Sequence, residues 1–196
     1  MPSKIHMAPQ KYYHIFNRGN NRQLLFKEHD NYRYFLQLAK RHVGSSVDFF
    51  AFVLLPDHFH FLIRVKPQEE LEKLGITDAP KLSRKFANWF STYAKAFNKR
   101  YNQVSSVFED RFERIEVDSD NYLSYLVYYI HSNPEKHQLI DNYKDWEHSS
   151  YSTFQTTNQS KLILKDEVID WFGSIDEFNE FHNTAHAQWT YLERQP

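Results

Sequence analysis

The segment VDFFAFVLLPDHFHFLIRV, residues 47–65, is the most informative part of this 196-residue chain for its architecture. Residues 47–55 form a largely apolar run, which is typical of a buried β-strand. Pro56-Asp57 interrupts the run as a tight turn, and a second strand follows at once from His58 to Val65. The sequence therefore predicts a β-hairpin in an antiparallel sheet.

The elements around the hairpin follow from the spacing of apolar residues, since alternation favours strands and repeats of three or four favour helices. Pro134 is expected to end the last helix, because proline lacks a backbone N–H and restricts the residue before it. The order strand, helix, strand, strand, helix, strand, helix predicts an α+β fold with one antiparallel sheet and helices packed on one face. The other predicted strands are Tyr12–Asn17 and Val107–Val117, and the helices are His29–His42, Leu82–Tyr101 and Asp120–Asn133.

The composition is that of a compact globular protein, and it excludes several kinds of site. Without cysteine the chain has no disulfide framework, no thiolate zinc site and no cysteine nucleophile. No apolar run reaches the roughly 18 residues of a transmembrane helix, and the first residues lack the apolar core of a signal peptide. We therefore expect a cytoplasmic protein with no membrane partner.

Charge is distributed unevenly along the chain. The 24 basic and 25 acidic residues give a net charge of −1, which taken alone argues against a nucleic-acid partner. Residues 157–196 contain three basic and seven acidic residues, so residues 1–156 carry +3, and residues 81–114 alone carry +5. One explanation is chance variation of charge along a chain of this length. The alternative is a binding domain at residues 1–156 followed by an acidic C-terminal extension at residues 157–196.

Two histidines alternate with phenylalanines in the second strand of the hairpin. Side chains two apart on a strand lie on one face, so His58 and His60 share a face while the phenylalanines enter the core. Two imidazoles on one face can bind a divalent metal ion. They can also form the polar face of an amphipathic strand, and the spacing alone favours this structural interpretation.

A tyrosine and an asparagine lie one turn apart in the last predicted helix. Tyr129 and Asn133 are four residues apart and therefore share a helix face. A phenol can attack a phosphodiester where a nearby cation offsets its pKa of about 10, and the Asn133 carbonyl can complete a metal site. Packing is the commoner role of such a tyrosine. His131 points elsewhere and is expected on the surface.

Five segments, in this order, resemble the motifs of a known family. They resemble those of the single-tyrosine HUH transposases of the insertion sequence 200/605 kind, especially the REP-associated branch. The segments are YHIFNRGNNR (13–22), LLPDHFHFL (54–62), VFEDRF (107–112), YIHSNP (129–134) and WEHSSY (146–151).

This resemblance implies a ferredoxin-like fold that cuts and rejoins single-stranded or hairpin DNA. By position, Tyr129 corresponds to the nucleophile that forms a 5′-phosphotyrosine. His58, His60 and Asn133 correspond to the ligands of a divalent metal ion, Mg²⁺ or Mn²⁺, which acts as a Lewis acid on the scissile phosphate. The family contains monomers and homodimers, and both states are open for this chain.

Basic residues of the first turn and of the stretch from 81 to 114 are then candidates for phosphate contacts. Aromatic stacking on bases would add to binding, although most aromatic residues of the second helix are expected in the core. If the acidic extension shields the DNA groove, its deletion after Ser160 should tighten DNA binding. The candidate phosphate contacts are Arg18, Arg22, Lys85, Lys95, Lys99, Arg100, Arg111 and Arg114.

Departures from the family motifs keep a second function open. Asp57 stands where the family often has asparagine, and residues 135–138 (EKHQ) replace a segment with an arginine and a glycine. We expect Asp57 to hold the turn, and a surface position is favoured for His137 over a phosphate contact. The departures motivate the alternative of a domesticated protein that binds hairpin DNA with little or no cleavage activity.

Overall fold

Four strands form one sheet, and the computed structural model describes residues 6–109 and 111–193. The strands are β1 (Tyr12–Arg18), β2 (Val47–Leu55), β3 (His58–Val65) and β4 (Glu113–Val117). Their order in the sheet is β2–β3–β1–β4, and every pairing is antiparallel. With a helix after β1 and another after β3, this is a ferredoxin-like β-α-β-β-α-β unit.

The predicted hairpin is confirmed. β2 and β3 pair from Val47 opposite Val65 to Leu55 opposite His58, so the Pro56-Asp57 dipeptide is the whole connection. Nearly all residues of both strands are buried. The hairpin thus places His58 directly after the turn, as the first residue of the buried strand β3.

Over the described residues, seven α-helices accompany the sheet, and none is long and apolar enough to cross a membrane. The first begins at a capping box between Glu28 and Asn31. The third begins where the Asp78 carboxylate accepts a hydrogen bond from the Lys81 N–H. The helices are α1 (His29–His42), α2 (Gln68–Lys73), α3 (Ala79–Tyr101), α4 (Asp120–Lys136), α5 (Tyr151–Phe154), α6 (Lys165–Phe172) and α7 (Ile175–Glu193).

The α+β class and the antiparallel sheet are confirmed, but helices cover both faces rather than one. On one face, Phe61 packs against Phe35 of α1 and Trp89 of α3, with ring centroids 6.4 and 5.4 Å apart. On the other face, His60 lies 5.9 Å from Tyr129 of α4, because neighbouring strand residues point to opposite sides. The spacing of apolar residues predicts that a helix has a buried face, but it does not predict which side of the sheet the helix covers.

An aromatic cluster fills the layer between the sheet and helices α1 and α3. The buried indole N–H of Trp89 donates to the Phe35 carbonyl at 3.1 Å, and the Tyr93 hydroxyl donates to the Leu25 carbonyl at 2.5 Å. These bonds satisfy polar atoms that would otherwise be buried without partners. The prediction that the aromatic residues of α3 belong to the core is confirmed, since Phe86, Trp89, Phe90 and Phe97 are all buried.

The helix end predicted at Asn133 is wrong, because α4 continues through Pro134 to Lys136. In the final turn of a helix, proline removes only one backbone hydrogen bond. The turn closes beyond it, since the N–H groups of His137 and Leu139 donate to the carbonyls of Asn133 and Pro134, both at 2.9 Å. The longer helix brings His137 close to the sheet.

The C-terminal extension packs against the rest of the protein. Val168 of α6 is fully buried. Glu167, also in α6, accepts a hydrogen bond of 2.5 Å from Arg64 of β3. Arg64 lies six positions along β3 from His58, roughly 20 Å at a rise of about 3.3 Å per residue. The start of α6 therefore lies at the far end of β3 from the candidate metal ligands.

Candidate active site

One face of α4 runs along the two histidines of β3. The rings of His60 and Tyr129 are 5.9 Å apart, and those of His58 and His137 are 4.6 Å apart. Residues four apart share a helix face, so Asn133 lies between Tyr129 and His137 on that face. The structure therefore brings the four residues predicted for catalysis and metal binding to one place.

Asp57 orients the first histidine. Its Oδ1 lies 2.6 Å from Nδ1 of His58, so the Nδ1–H group donates to the carboxylate, and in the neutral ring the lone pair is then on Nε2. A carboxylate that fixes the tautomer of an imidazole is common beside metal-binding histidines. The structure adds this contact to the role in the turn that the sequence predicts for Asp57.

A third histidine, His14 of β1, holds the ring of His60. Nε2 of His14 lies 2.9 Å from Nδ1 of His60, and the rings stack with centroids 5.0 Å apart. Burial lowers the pKa of His14 to about 4, and burial followed by the neighbouring histidines lowers the pKa of His60 well below its ordinary value. Both rings are therefore neutral at pH 7. In the tautomer in which the Nδ1–H of His60 donates to Nε2 of His14, Nε2 of His60 carries a lone pair for a metal ion.

The Tyr129 phenol is half-buried and has a cation beside it. Burial raises the pKa of Tyr129, and a hydrogen bond with the Asn133 side chain opposes this rise. The Asn133 amide also donates to the Tyr129 backbone carbonyl at 2.6 Å, which ties the Asn133 side chain to its own helix. The Lys136 ammonium lies 4.7 Å from the centre of the Tyr129 ring. Positive charge at this position stabilises a phenolate.

The donor set fits a divalent metal ion. It offers two imidazoles whose Nδ1 atoms are engaged by Asp57 and His14, and the amide of Asn133. Nitrogen and oxygen donors of this kind suit Mn²⁺ and other first-row ions. Residues that support the ligands are as much a part of such a site as the ligands themselves.

Two neighbouring residues of α4 face away from this site. His131 is fully buried, with Nδ1 3.1 Å from His182 and Nε2 2.8 Å from the Ser150 hydroxyl, so its predicted surface position is wrong. Tyr128 is buried with its hydroxyl 3.4 Å from His186 of α7. Tyr128, which precedes the motif, therefore packs against the C-terminal extension and not against His58 or His60.

Sequence reasoning did not single out His14, and it favoured a surface position for His137, whose ring lies 4.6 Å from that of His58. The alternation of β1 places His14 on one face of its strand, but its contact with His60 depends on the register of β1 against β3. His137 is four residues after Asn133 and would have joined the same helix face. Because the sequence predicts that the helix ends before Pro134, it does not predict that the helix face extends to His137.

The eight predicted phosphate contacts do not form one surface. Arg18 pairs with His58 across the two strands, and the charges of Arg18 and Arg22 act on His137. Arg111 and Arg114 line a cavity of about 740 Å³ between α3 and the chain before β4. Only the first pair lies beside the histidines.

The other four predicted contacts belong to α3, on the opposite face of the sheet. One of them is already paired, because the Arg100 guanidinium donates two hydrogen bonds to the Glu28 carboxylate at 3.1 and 2.5 Å. The structure does not bring this group to the histidines. It consists of Lys85, Lys95, Lys99 and Arg100.

Comparison with known proteins identifies the family. A protein of Haemophilus influenzae, provisionally named REP-associated tyrosine transposase, is 29% identical over 128 residues, which cover 64% of this chain and 67% of that protein. The solved structure of a REP-associated tyrosine transposase bound to a REP hairpin has the same fold, with a TM-score of 0.59 and 18% identity over 79% of this chain and 84% of that one. Residues 8–133 match the model of the family described as Transposase IS200 like, a range that contains Tyr129 and its three proposed partners. The chain therefore belongs to the IS200-like transposase family.

Proposed function

We propose that this protein cleaves and rejoins single-stranded DNA that carries a hairpin, with Tyr129 as the nucleophile. The observation that carries the proposal is the helix face of Tyr129, Asn133 and His137 alongside the two histidines of β3. Family membership supports the reaction class, and the hairpin-bound relative of the same fold supports the kind of DNA.

The chemistry assigned to Tyr129 is an exchange of phosphoester bonds. Its phenolic oxygen attacks the phosphorus while the bond from phosphorus to the 3′ oxygen breaks, and the proton lost by the phenol is the one gained by the departing oxygen. The products are a 5′-phosphotyrosine and a free 3′-hydroxyl. Attack by another 3′-hydroxyl reverses the step and joins two strands. One bond forms for each that breaks, so the reaction requires no nucleotide hydrolysis.

His58, His60 and Asn133 are the residues we assign to a divalent metal ion, Mg²⁺ or Mn²⁺. A metal ion bound there supplies a Lewis acid for the scissile phosphate. The two imidazoles favour Mn²⁺ over Mg²⁺, because Mg²⁺ prefers oxygen ligands throughout. The Asp57 carboxylate accepts from Nδ1–H of His58, and we assign His60 the tautomer in which its Nδ1–H donates to His14, so that both Nε2 atoms are available.

The DNA strand is assigned to the side of the sheet that carries the histidines. Arg18 and Arg22 supply the phosphate contacts nearest the site, whereas Arg111 and Arg114 lie beside the cavity at α3, on the opposite face of the sheet. The remaining candidates on α3 are far from the proposed cleavage point.

The decisive experiment uses a labelled single-stranded hairpin DNA and the full chain with Mn²⁺. We expect a covalent protein–DNA adduct that disappears with EDTA and in Tyr129→Phe. Tyr128→Phe is the matched control, since the adjacent phenol is buried against α7, and it should keep the adduct. An undiminished adduct in Tyr129→Phe would contradict the assignment of the nucleophile.

A hairpin-binding protein without cleavage activity is the second candidate function. The observation that favours it is the raised pKa of the Tyr129 phenol, since burial makes it a weaker nucleophile at pH 7. Tight hairpin binding with no adduct in either Mg²⁺ or Mn²⁺ would establish this alternative. An adduct with either ion would reject it.

A further inference from the structure

We propose that His29, Glu147 and His148 form a second metal site that binds zinc. Nδ1 of His29 lies 3.3 Å, and Nε2 of His148 lies 3.1 Å, from the same carboxylate oxygen of Glu147. All three ligand atoms lie within 4.8 Å of one another. Among the histidine, cysteine, aspartate and glutamate side chains that the structure describes, no other group of three meets this condition.

The spacing of the donor atoms suits a tetrahedral ion. Bonds from zinc to histidine nitrogen and carboxylate oxygen are about 2.0–2.2 Å long, which puts neighbouring ligand atoms about 3.3–3.6 Å apart. The two observed separations are at or just below the short end of this range, so small side-chain movements admit the ion. Two histidines and one glutamate leave the fourth position for water, as in open zinc sites.

The framework holds His148, the most buried of the three ligands, in place. The His148 ring stacks on Tyr32 of α1, with centroids 3.5 Å apart and planes 8° apart. Its carbonyl accepts a hydrogen bond of 2.9 Å from the Leu54 N–H of β2. Burial lowers the pKa of His148, which keeps the ring neutral and able to bind a metal. His29 and Glu147 are more than half exposed and leave an open path for the ion.

The site joins parts of the chain that are 118 residues apart in sequence. His29 is the first residue of α1, and Glu147 and His148 lie in the segment that leads into α5. Both of these later residues lie outside residues 8–133, the range that matches the family. An ion here therefore fastens the segment after α4 to the ferredoxin-like unit, and it acts independently of the proposed cleavage site.

The test measures zinc binding by the metal-free full chain with isothermal titration calorimetry. His58→Ala/His60→Ala removes the other candidate metal site, and in this background we expect one zinc ion per chain. His29→Ala and Glu147→Gln should each weaken this binding at least tenfold. His6→Ala is the matched control, an exposed histidine outside the cluster, and should leave it unchanged. Zinc should also raise the melting temperature, whereas Mg²⁺ should not.

The single substitutions are repeated in the unmodified chain, because the double variant removes two buried side chains. There His29→Ala should lower the zinc stoichiometry by one. Absence of zinc binding in both backgrounds would show that the cluster is only a chain of hydrogen bonds and would overturn the proposal. Zinc binding that is unchanged in His29→Ala and Glu147→Gln would overturn it as well.

Discussion

His14 holds the ring of His60 through a hydrogen bond, so it is the residue at which positioning can be tested. Replacing His14 with alanine removes the partner that fixes Nδ1 of His60. We expect Mn²⁺ affinity to fall about 10–100-fold, the usual cost of losing such a supporting residue. Calorimetry measures the affinity, and His14→Gln, which keeps a hydrogen-bond acceptor, should recover part of it. Unchanged affinity in folded His14→Ala would contradict this role.

Arg18 and Arg100 form a matched pair for testing where DNA binds. Arg18 lies beside His58, whereas Arg100 lies across the sheet and is paired with Glu28. We expect Arg18→Gln to weaken hairpin binding at low salt and to reduce the slope of log K against log salt by about one. Arg100→Gln should change neither quantity. Fluorescence anisotropy over a salt series measures both, and equal effects of the two substitutions would reject the proposed placement.

At the scale of elements, α4 is buried on two sides, and its contact with α7 makes stability depend on pH. His131 and His182 are both buried, and their ring nitrogens are 3.1 Å apart. Burial lowers the pKa of His182 to about 4 and that of His131 well below its ordinary value. An unfolded histidine has a pKa of about 6.5, so between pH 6.5 and pH 4 the unfolded chain binds protons that the folded protein does not.

The sign of this linkage is therefore a loss of stability on acidification. From the lowered pKa of His182 alone, we expect the free energy of unfolding to fall by about 2 kcal/mol between pH 7 and pH 5. Urea denaturation at the two pH values measures this difference. His182→Gln should make it smaller, while His29→Gln, at an exposed position, should leave it unchanged. An equal pH dependence in His182→Gln would show that other groups are responsible.

At the scale of the whole molecule, the acidic extension is a structural part of the protein. Phe178 of α7 is fully buried and stacks on Phe154 with ring centroids 4.9 Å apart. We expect Phe178→Ala to lower the free energy of unfolding by about 3–5 kcal/mol, the cost of truncating a core phenylalanine. Phe181→Ala, three residues later and partly exposed, should cost clearly less. Similar losses in urea denaturation would contradict the packing described for α7.

We expect Tyr129 to act on the histidines of its own chain, since the rings of Tyr129 and His60 are 5.9 Å apart. A subunit that supplies its tyrosine to a partner would regain activity in a mixture of Tyr129→Phe and His60→Ala proteins. We expect no adduct from this mixture. Formation of the adduct would show that the tyrosine acts in trans and that the family's dimeric arrangement applies here.

Much of the fold could be predicted because its signals are local. The hairpin follows from an apolar run broken by Pro56-Asp57, and the common face of His58 and His60 follows from the period of a strand. The common face of Tyr129 and Asn133 follows in the same way from the period of a helix. These features depend only on residues a few positions apart, so they can be predicted without knowledge of the tertiary structure.

The long-range contacts became known only from the folded structure. His14 meets His60 across 46 residues and His29 meets Glu147 across 118, so neither contact leaves a periodic pattern in the sequence. The burial of His131 depends on α7 covering the outer side of α4. Such contacts are set by strand register and by the side of the sheet on which a helix lies, and both result from the packing of the whole chain.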